Sequence, residues 1–227
     1  MSGARVSGAR VSGARVSGAR VSGARVSGAR MSGARMSGLD RPGFADPVAA
    51  AQACFRAVLD AMSRPGRVHA CGSELSPPAP LGVAAAAVLL TLVDADTPLW
   101  LDPSASAAAD WIAFHCGAKL TRRPSEAAFA LALALPALDP FAPGTHEAPE
   151  TATTVIAEVR ALGAGRRYRL SGPGLRAPSL LEVDGLPPGF ARDWQARRAR
   201  FPLGVDLILC AGSALCALPR GIAVEDC

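Results

Sequence analysis

Lysine is nearly missing from this 227-residue sequence, which has 24 basic residues and a single lysine, Lys119 in CGAKLT. No GxxxxGK run followed by Ser or Thr is present, so nucleotide binding through a P-loop is excluded. Histidine is scarce as well. His69, His115 and His146 fall in no HxH, HExxH or clustered Cys/His spacing, so no metal site is expected from them. No serine lies in GxSxG, which removes the hydrolase elbow. The six cysteines (54, 71, 116, 210, 216, 227) include no CxxC pair and are scattered through apolar segments. They read as free, mostly buried thiols rather than a disulfide or cluster framework. Long apolar runs are missing too. The longest uncharged one, Leu81 to Val93, stops at Asp94 and is well short of the roughly 20 residues a membrane span needs. It reads as a buried helix, and no membrane association is expected. The start of the chain has no continuous apolar stretch of the secretory type, so a cytoplasmic location is the default expectation.

Half of the residues are apolar, enough for a sizeable core in one domain or a domain with a tail. The net charge of +5 points to a nucleic-acid partner until its source is found. Residues 2–36 are seven copies of SGAR followed by Val or Met. Seven of the 24 basic residues lie there, leaving 17 against 19 acidic ones, so the rest of the chain is near −2. A five-residue period matches neither a helix nor a strand, and Ser and Gly in each copy add flexibility. Residues 1–38 are therefore expected to be a disordered tail. Its spaced arginines would suit an RNA- or phosphate-binding arm. The plainer reading is a tandem expansion, with translation able to begin at Met31 or Met36 and no nucleic-acid partner.

Asp46-Pro47 has the form of a helix start, and Val48, Ala51, Phe55, Val58, Leu59 and Met62 recur at helical spacing until SRPG at 63–66. A short strand over 67–70, the apolar helix over 81–92 and a strand over 97–101 follow. Ser104 is expected to cap a helix running to His115, and 129–135 to form a strand. Residues 153–162 alternate, and GAGRR is expected to turn that strand into YRLSGPG as an antiparallel hairpin. Residues 188–198 read as a helix, and 205–210 and 215–218 as a hairpin around AGSA. Early alternation of helix and strand with late hairpins predicts an α/β domain of three layers, a mixed sheet covered by helices.

The motifs have bland readings beside their chemical ones. SGPG at 171–174 and GAGRR at 163–167 are wrongly placed for a dinucleotide fingerprint and read as turns. Asp94 and Asp96 could share a cation with phosphate oxygens, but they sit where a helix gives way to Thr97-Pro98, a common place for turn-forming Asp. His115 beside Cys116 resembles a thiol and its base, yet neighbours at a helix end point apart, and His115 suits the helix C-terminus. Trp194, set among Arg192, Arg197, Arg198 and Arg200, fits an anchored solvated face or a docking surface. In FPLGVDLIL (201–209), Asp206 stands alone in an apolar strand. If buried it needs donors, and Arg220 on the far side of the hairpin is the plausible partner.

Seven segments, in order, carry a resemblance: FRAVLDAMSRPG (55–66), VLLTLVDADTPLWL (88–101), FHCGA (114–118), PETATTVI (149–156), LSGPGL (170–175), FPLGVDLIL and ALPR (217–220). They resemble PhnH, a subunit family of the bacterial carbon–phosphorus lyase system, over residues 44–227. The SGAR tail departs from that pattern. The resemblance implies a fold like the large domain of pyridoxal-phosphate-dependent transferases but without that cofactor, in keeping with a lone lysine. It implies a homodimer with PhnG, PhnI and PhnJ as core-complex partners, and with PhnK and PhnL associated. The system joins an alkylphosphonate to the ribose of MgATP with loss of adenine; a radical iron–sulfur subunit using S-adenosylmethionine cuts the carbon–phosphorus bond later. On this reading the chain binds no cofactor and supplies no catalytic residue. Phe201, Pro202, Leu203, Gly204, Asp206, Arg220 and Trp194 are structural or interfacial. The alternative gives Asp94, Asp96, His115 or Arg169 a direct part in ligand binding.

Overall fold

The structure is a computed structural model and describes residues 39–227, so the SGAR repeat lies outside the described residues. The chain opens with α1 (Pro47–Ser63), capped by the Asp46 carboxylate on the Ala49 N–H at 3.1 Å with Pro47 at the first position. Then come β1 (His69–Ala70), α2 (Val83–Leu92), β2 (Leu99–Leu101), α3 (Ala109–Cys116), β3 (Leu120–Thr121), β4 (Phe129–Ala132) and β5 (Thr154–Glu158). The second half holds β6 (Ala161–Ser171), β7 (Ser179–Asp184), α4 (Phe190–Arg198), β8 (Asp206–Ala211), β9 (Ala214–Leu218) and β10 (Ala223–Asp226).

Seven strands form one mixed sheet in the order β1-β9-β8-β5-β4-β2-β3, and β10-β6-β7 form a second, antiparallel sheet. In the large sheet β8, β5, β4, β2 and β3 run parallel, while β9 and β1 add antiparallel pairs at one edge. Alternation along the central strands sends side chains to two cores. Ile156, Ile208 and Cys210 face α1, α2 and α3. Val155, Leu207 and Leu209 face Tyr168, Leu170, Leu181 and Val183 of the small sheet, together with Phe190 and Trp194 of α4. The domain is thus α/β with three layers and a mixed central sheet. Three helices cover one face, and α4 shares the other with the small antiparallel sheet.

Other expectations are corrected locally. Asp102, not Ser104, starts the helical segment: its Oδ1 accepts from the Ser104 N–H at 2.8 Å and the Ser104 hydroxyl at 2.6 Å, and a 3-10 turn over Pro103–Ala108 precedes α3. β5 makes no hairpin with the YRL strand, because both its edges are taken by β4 and β8. The GAGRR stretch lies inside β6 as an irregularity between Leu162 and Arg166, and the hairpin is β6 with β7. Gly165 is needed there. It has φ +100°, and a Cβ would stand 2.7 Å from the Asp184 backbone nitrogen. On α1 the apolar face read from the sequence is only partly the buried one: Val58 is buried and Met62 packs against the core. Cys54, Val58 and Ala61 are buried, whereas Val48, Phe55 and Leu59 are exposed by 69%, 51% and 57%.

Candidate functional site

Asp206 is the first residue of β8, and Arg220 sits two residues beyond β9. The hairpin brings them together. Asp206 Oδ1 accepts from the Arg220 backbone N–H at 2.8 Å and from its Nε at 3.1 Å, and Oδ2 takes Nη2. Arg220 Nη1 also donates to the Pro149 carbonyl at 2.6 Å, in the turn before β5. Both side chains are mostly buried, 18% and 15% exposed. Thr153 extends the same seam. Its buried hydroxyl donates to the Ala127 carbonyl at 2.6 Å, and its carbonyl accepts from the Asp206 N–H at 3.3 Å. The ion pair therefore ties together the segments that lead into β5 and β8 and out of β9. Such a pair, with its remaining donors satisfied by carbonyls, fixes loop geometry.

The FPLG segment runs from α4 into β8. The Phe201–Pro202 peptide is cis, and the Gly204 N–H donates to the Pro143 carbonyl at 2.8 Å. Phe201 is 61% exposed and lies against Gly221. α4 is anchored beneath: Trp194 Nε1 donates to the Ile222 carbonyl at 2.7 Å and Arg198 Nε to the Gly221 carbonyl at 2.9 Å. Trp194 is a buried core residue, so of the two readings of the arginine-rich helix, the aromatic part belongs to the interior. Arg197 turns outward and grips Asp139 through both oxygens, at 2.7 and 2.8 Å. That fork holds the Asp139 carboxyl below the usual range. A hollow lies on either side of it: one of about 160 Å3 towards Arg200 and Leu203, one of about 270 Å3 towards Asp193 and Trp194.

The four ligand-binding candidates do not converge. Asp94 Oδ1 accepts from the N–H groups of Asp96 and Thr97 at 2.9 and 3.0 Å and from the Thr97 hydroxyl at 2.9 Å, bonds that lower its pKa. The carboxylate shapes its own turn. Asp96 is exposed beside it. His115 Nε2 bonds to the Arg41 carbonyl at 3.1 Å, which also accepts from Trp111 Nε1 at 2.8 Å. The helix itself ends at Gly117 in the left-handed conformation. The neighbouring Cys116 thiol is pushed up to about 12 by burial, so it is not a poised nucleophile. Arg169 stands on the small sheet, 3.6 Å from Glu225, in the layer opposite α3. Lys119 is exposed next to the edge strand β3. Among the described residues no three His, Cys, Asp or Glu side chains are placed to share a metal ion. No described helix is long and apolar enough to cross a membrane.

Residues 42–225 match a family described as bacterial phosphonate metabolism protein, PhnH. The chain belongs to the PhnH family. A relative from Rhizobium meliloti (strain 1021), named alpha-D-ribose 1-methylphosphonate 5-triphosphate synthase subunit PhnH, is 46% identical over 187 residues, covering 80% of this chain and 94% of the relative. A second, from Stutzerimonas stutzeri and named "Putative C-P lyase subunit protein HtxG", is 36% identical over 177 residues, covering 74% and 83% of the two chains. Residues 1–38 match a separate description, pentapeptide repeats in eight copies. The PhnH match takes in both partners of the Asp206–Arg220 pair, the α4 anchor and the Asp139–Arg197 fork. Two functional-looking contacts had no signal in the sequence: Asp139 with Arg197, 58 residues apart, and Glu158, whose Oε1 accepts from the Gly82 N–H at 2.6 Å at the start of α2.

Proposed function

We propose that this chain serves as the PhnH subunit in the synthase that joins an alkylphosphonate to the ribose of MgATP, releasing adenine and giving ribose 1-alkylphosphonate 5-triphosphate. Its role there is to organise the complex. The observation that carries this is the 46% identity, over 94% of its length, to a relative named as a subunit of that synthase. Two structural features support an organising role. The ligand-binding candidates are scattered, with Asp94, His115 and Arg169 each engaged by its own turn or neighbour, and the best-built polar feature is a staple among loops rather than an open constellation. The partners on this reading are PhnG, PhnI and PhnJ, with PhnK and PhnL associated, in the cytoplasm. Exposed Phe201 on the FPLG loop supports a docking role for that loop. The exposed face of α1, with Val48, Phe55 and Leu59, supports a further contact, of which a homodimer is one form.

The kinship with the large domain of pyridoxal-phosphate-dependent transferases is part of the same proposal. The mixed seven-stranded sheet supports it, and a lysine exposed at a sheet edge supports a chain that works without that cofactor. MgATP, S-adenosylmethionine and the iron–sulfur cluster then belong to the wider system. The test is affinity purification of the tagged chain from its phosphate-starved host growing on methylphosphonate, with mass spectrometry of what accompanies it. PhnG, PhnI and PhnJ are expected. Recovery of the chain alone, or with RNA that is lost when the chain starts at Met36, would refute the reading.

A further inference from the structure

The hollow beside the Arg197–Asp139 fork has a lining that no structural role uses up. It lies between α4 and the loop over 138–143, with Arg197, Arg200 and Asp139 at its rim and Phe141, Leu203 and Val205 in its walls. Asp139 engages Nη1 and Nη2 of Arg197 once each. A guanidinium has five N–H donors, so three on Arg197 have no acceptor among the described residues. The Arg200 side chain has no acceptor among them at all, and it helps to hold the Asp139 carboxyl low across the hollow. Arg197 lies in the last turn of α4 and Arg200 in the turn that follows, its backbone N–H bonded to the Arg197 carbonyl at 2.9 Å, and both side chains line the hollow. The other charged groups nearby are already committed or face away. Arg198 bonds to the Gly221 carbonyl, Arg220 is paired with Asp206, and Asp193 lines the hollow beyond Arg197. Two positive charges against one negative leave a net attraction for an anion.

Size narrows the occupant. A volume of about 160 Å3 is many times the roughly 10–15 Å3 that admits one water. It is well below the roughly 300–1,000 Å3 of pockets that enclose drug-sized ligands. A whole nucleotide would extend well out of the cleft, whereas a small ion with a short substituent is enclosed by it. The apolar walls give such a substituent a place, and the basic rim gives the ion one. We propose that this cleft binds a small oxyanion bearing a short alkyl group, held by Arg200 and the free donors of Arg197. Asp139 acts as a resident counter-ion. Its side chain is 78% exposed while that of Arg197 is 27% exposed, so the carboxylate is the member free to swing aside. The oxyanion part stands on the cleft alone; the choice of methylphosphonate as the probe rests on the function proposed above.

The test is calorimetric titration of the full chain with methylphosphonate, inorganic phosphate and ATP, repeated on Arg200→Gln and Asp139→Asn after thermal melts have shown both to be folded. Methylphosphonate is expected to bind. Arg200→Gln should weaken it at least tenfold, the loss that follows from removing a charge-assisted hydrogen bond. Asp139→Asn should tighten it, because the competing carboxylate is gone. No binding of either small anion, or binding that Arg200→Gln leaves unchanged, overturns the proposal. Equal affinity for inorganic phosphate overturns the part assigned to the apolar walls, and binding of ATP alone overturns the size argument. Failure here with PhnG, PhnI and PhnJ still recovered from the host would leave the organising role intact. Binding without those partners would do the reverse.

Discussion

Truncating one member of the Asp206–Arg220 pair should cost far more than an exposed salt bridge of the same length would suggest. Exposed pairs are worth roughly 0–1 kcal/mol, but these side chains are only 18% and 15% exposed. Asp206→Ala removes both carboxylate contacts to the guanidinium and the acceptor of the Arg220 backbone N–H, leaving Arg220 with the Pro149 carbonyl alone. Breaking a buried pair costs about 3–5 kcal/mol; the residual exposure puts Asp206→Ala at the low end, about 3 kcal/mol. Arg220→Ala should cost about 2 kcal/mol, since Asp206 keeps the backbone N–H at position 220. The double variant should fall short of the sum by about 2 kcal/mol, the coupling of two groups in direct contact. The assay is urea unfolding at fixed protein concentration. With a slope of about 2–3 kcal/mol/M, Asp206→Ala should move the midpoint down by about 1–1.5 M without changing the slope. A loss under about 0.5 kcal/mol, or strictly additive single variants, would refute the staple. Asp206→Asn that assembles normally but stops nucleotide turnover would convert the residue from structural to catalytic.

Two further outcomes concern single positions. Burial raises the Glu158 carboxyl above its ordinary 4.5, with the Gly82 N–H working in the opposite direction. The folded state therefore holds that proton to higher pH than the unfolded chain does, so this group's contribution to stability falls as pH rises from 4.5 through the folded value and is flat above it. Glu158→Gln keeps an acceptor for Gly82 and should abolish that slope, while Glu158→Ala should cost about 1 kcal/mol at neutral pH by leaving the Gly82 N–H without its acceptor. Melts taken from below the ordinary carboxyl value up to neutral pH would decide it, and an unchanged slope in Glu158→Gln would sink the assignment. Gly174 has φ +85°, and a Cβ there would stand 2.4 Å from the Ser63 carbonyl oxygen at the end of α1. Gly174→Ala should therefore cost about 2 kcal/mol or more, and a near-neutral melt would show that the β6–β7 turn does not rest on α1.

The sequence alone determined the parts governed by local rules. Pro47 behind Asp46, the unbroken apolar run into α2 and the two apolar stretches around AGSA each satisfy their backbone and burial demands within a few residues. Those elements stand where patterning puts them. The family was legible for a related reason: its segments are short, ordered and independent, and the match over residues 42–225 needs no coordinates. A lone carboxylate in an apolar strand also demands a donor, and the nearest arginine across a short hairpin is the contact that forms.

What the tertiary structure decided is everything that depends on which element lies against which. Periodicity assigned Val48, Phe55 and Leu59 to the buried face of α1. Val58 and Met62, named by the same periodicity, do face the core, but the helix packs there through Cys54 and Ala61 as well, because close approach to α2 and β9 favours small side chains and periodicity does not weigh size. β5 looked like half of a hairpin, yet it became a central strand, a choice made by β4 and β8 from distant parts of the chain. Asp139 and Arg197 meet only because the 138–143 loop and α4 are folded against one another over the same end of the sheet. Nothing in either segment names the other, and the cleft they border exists only once the layers have packed.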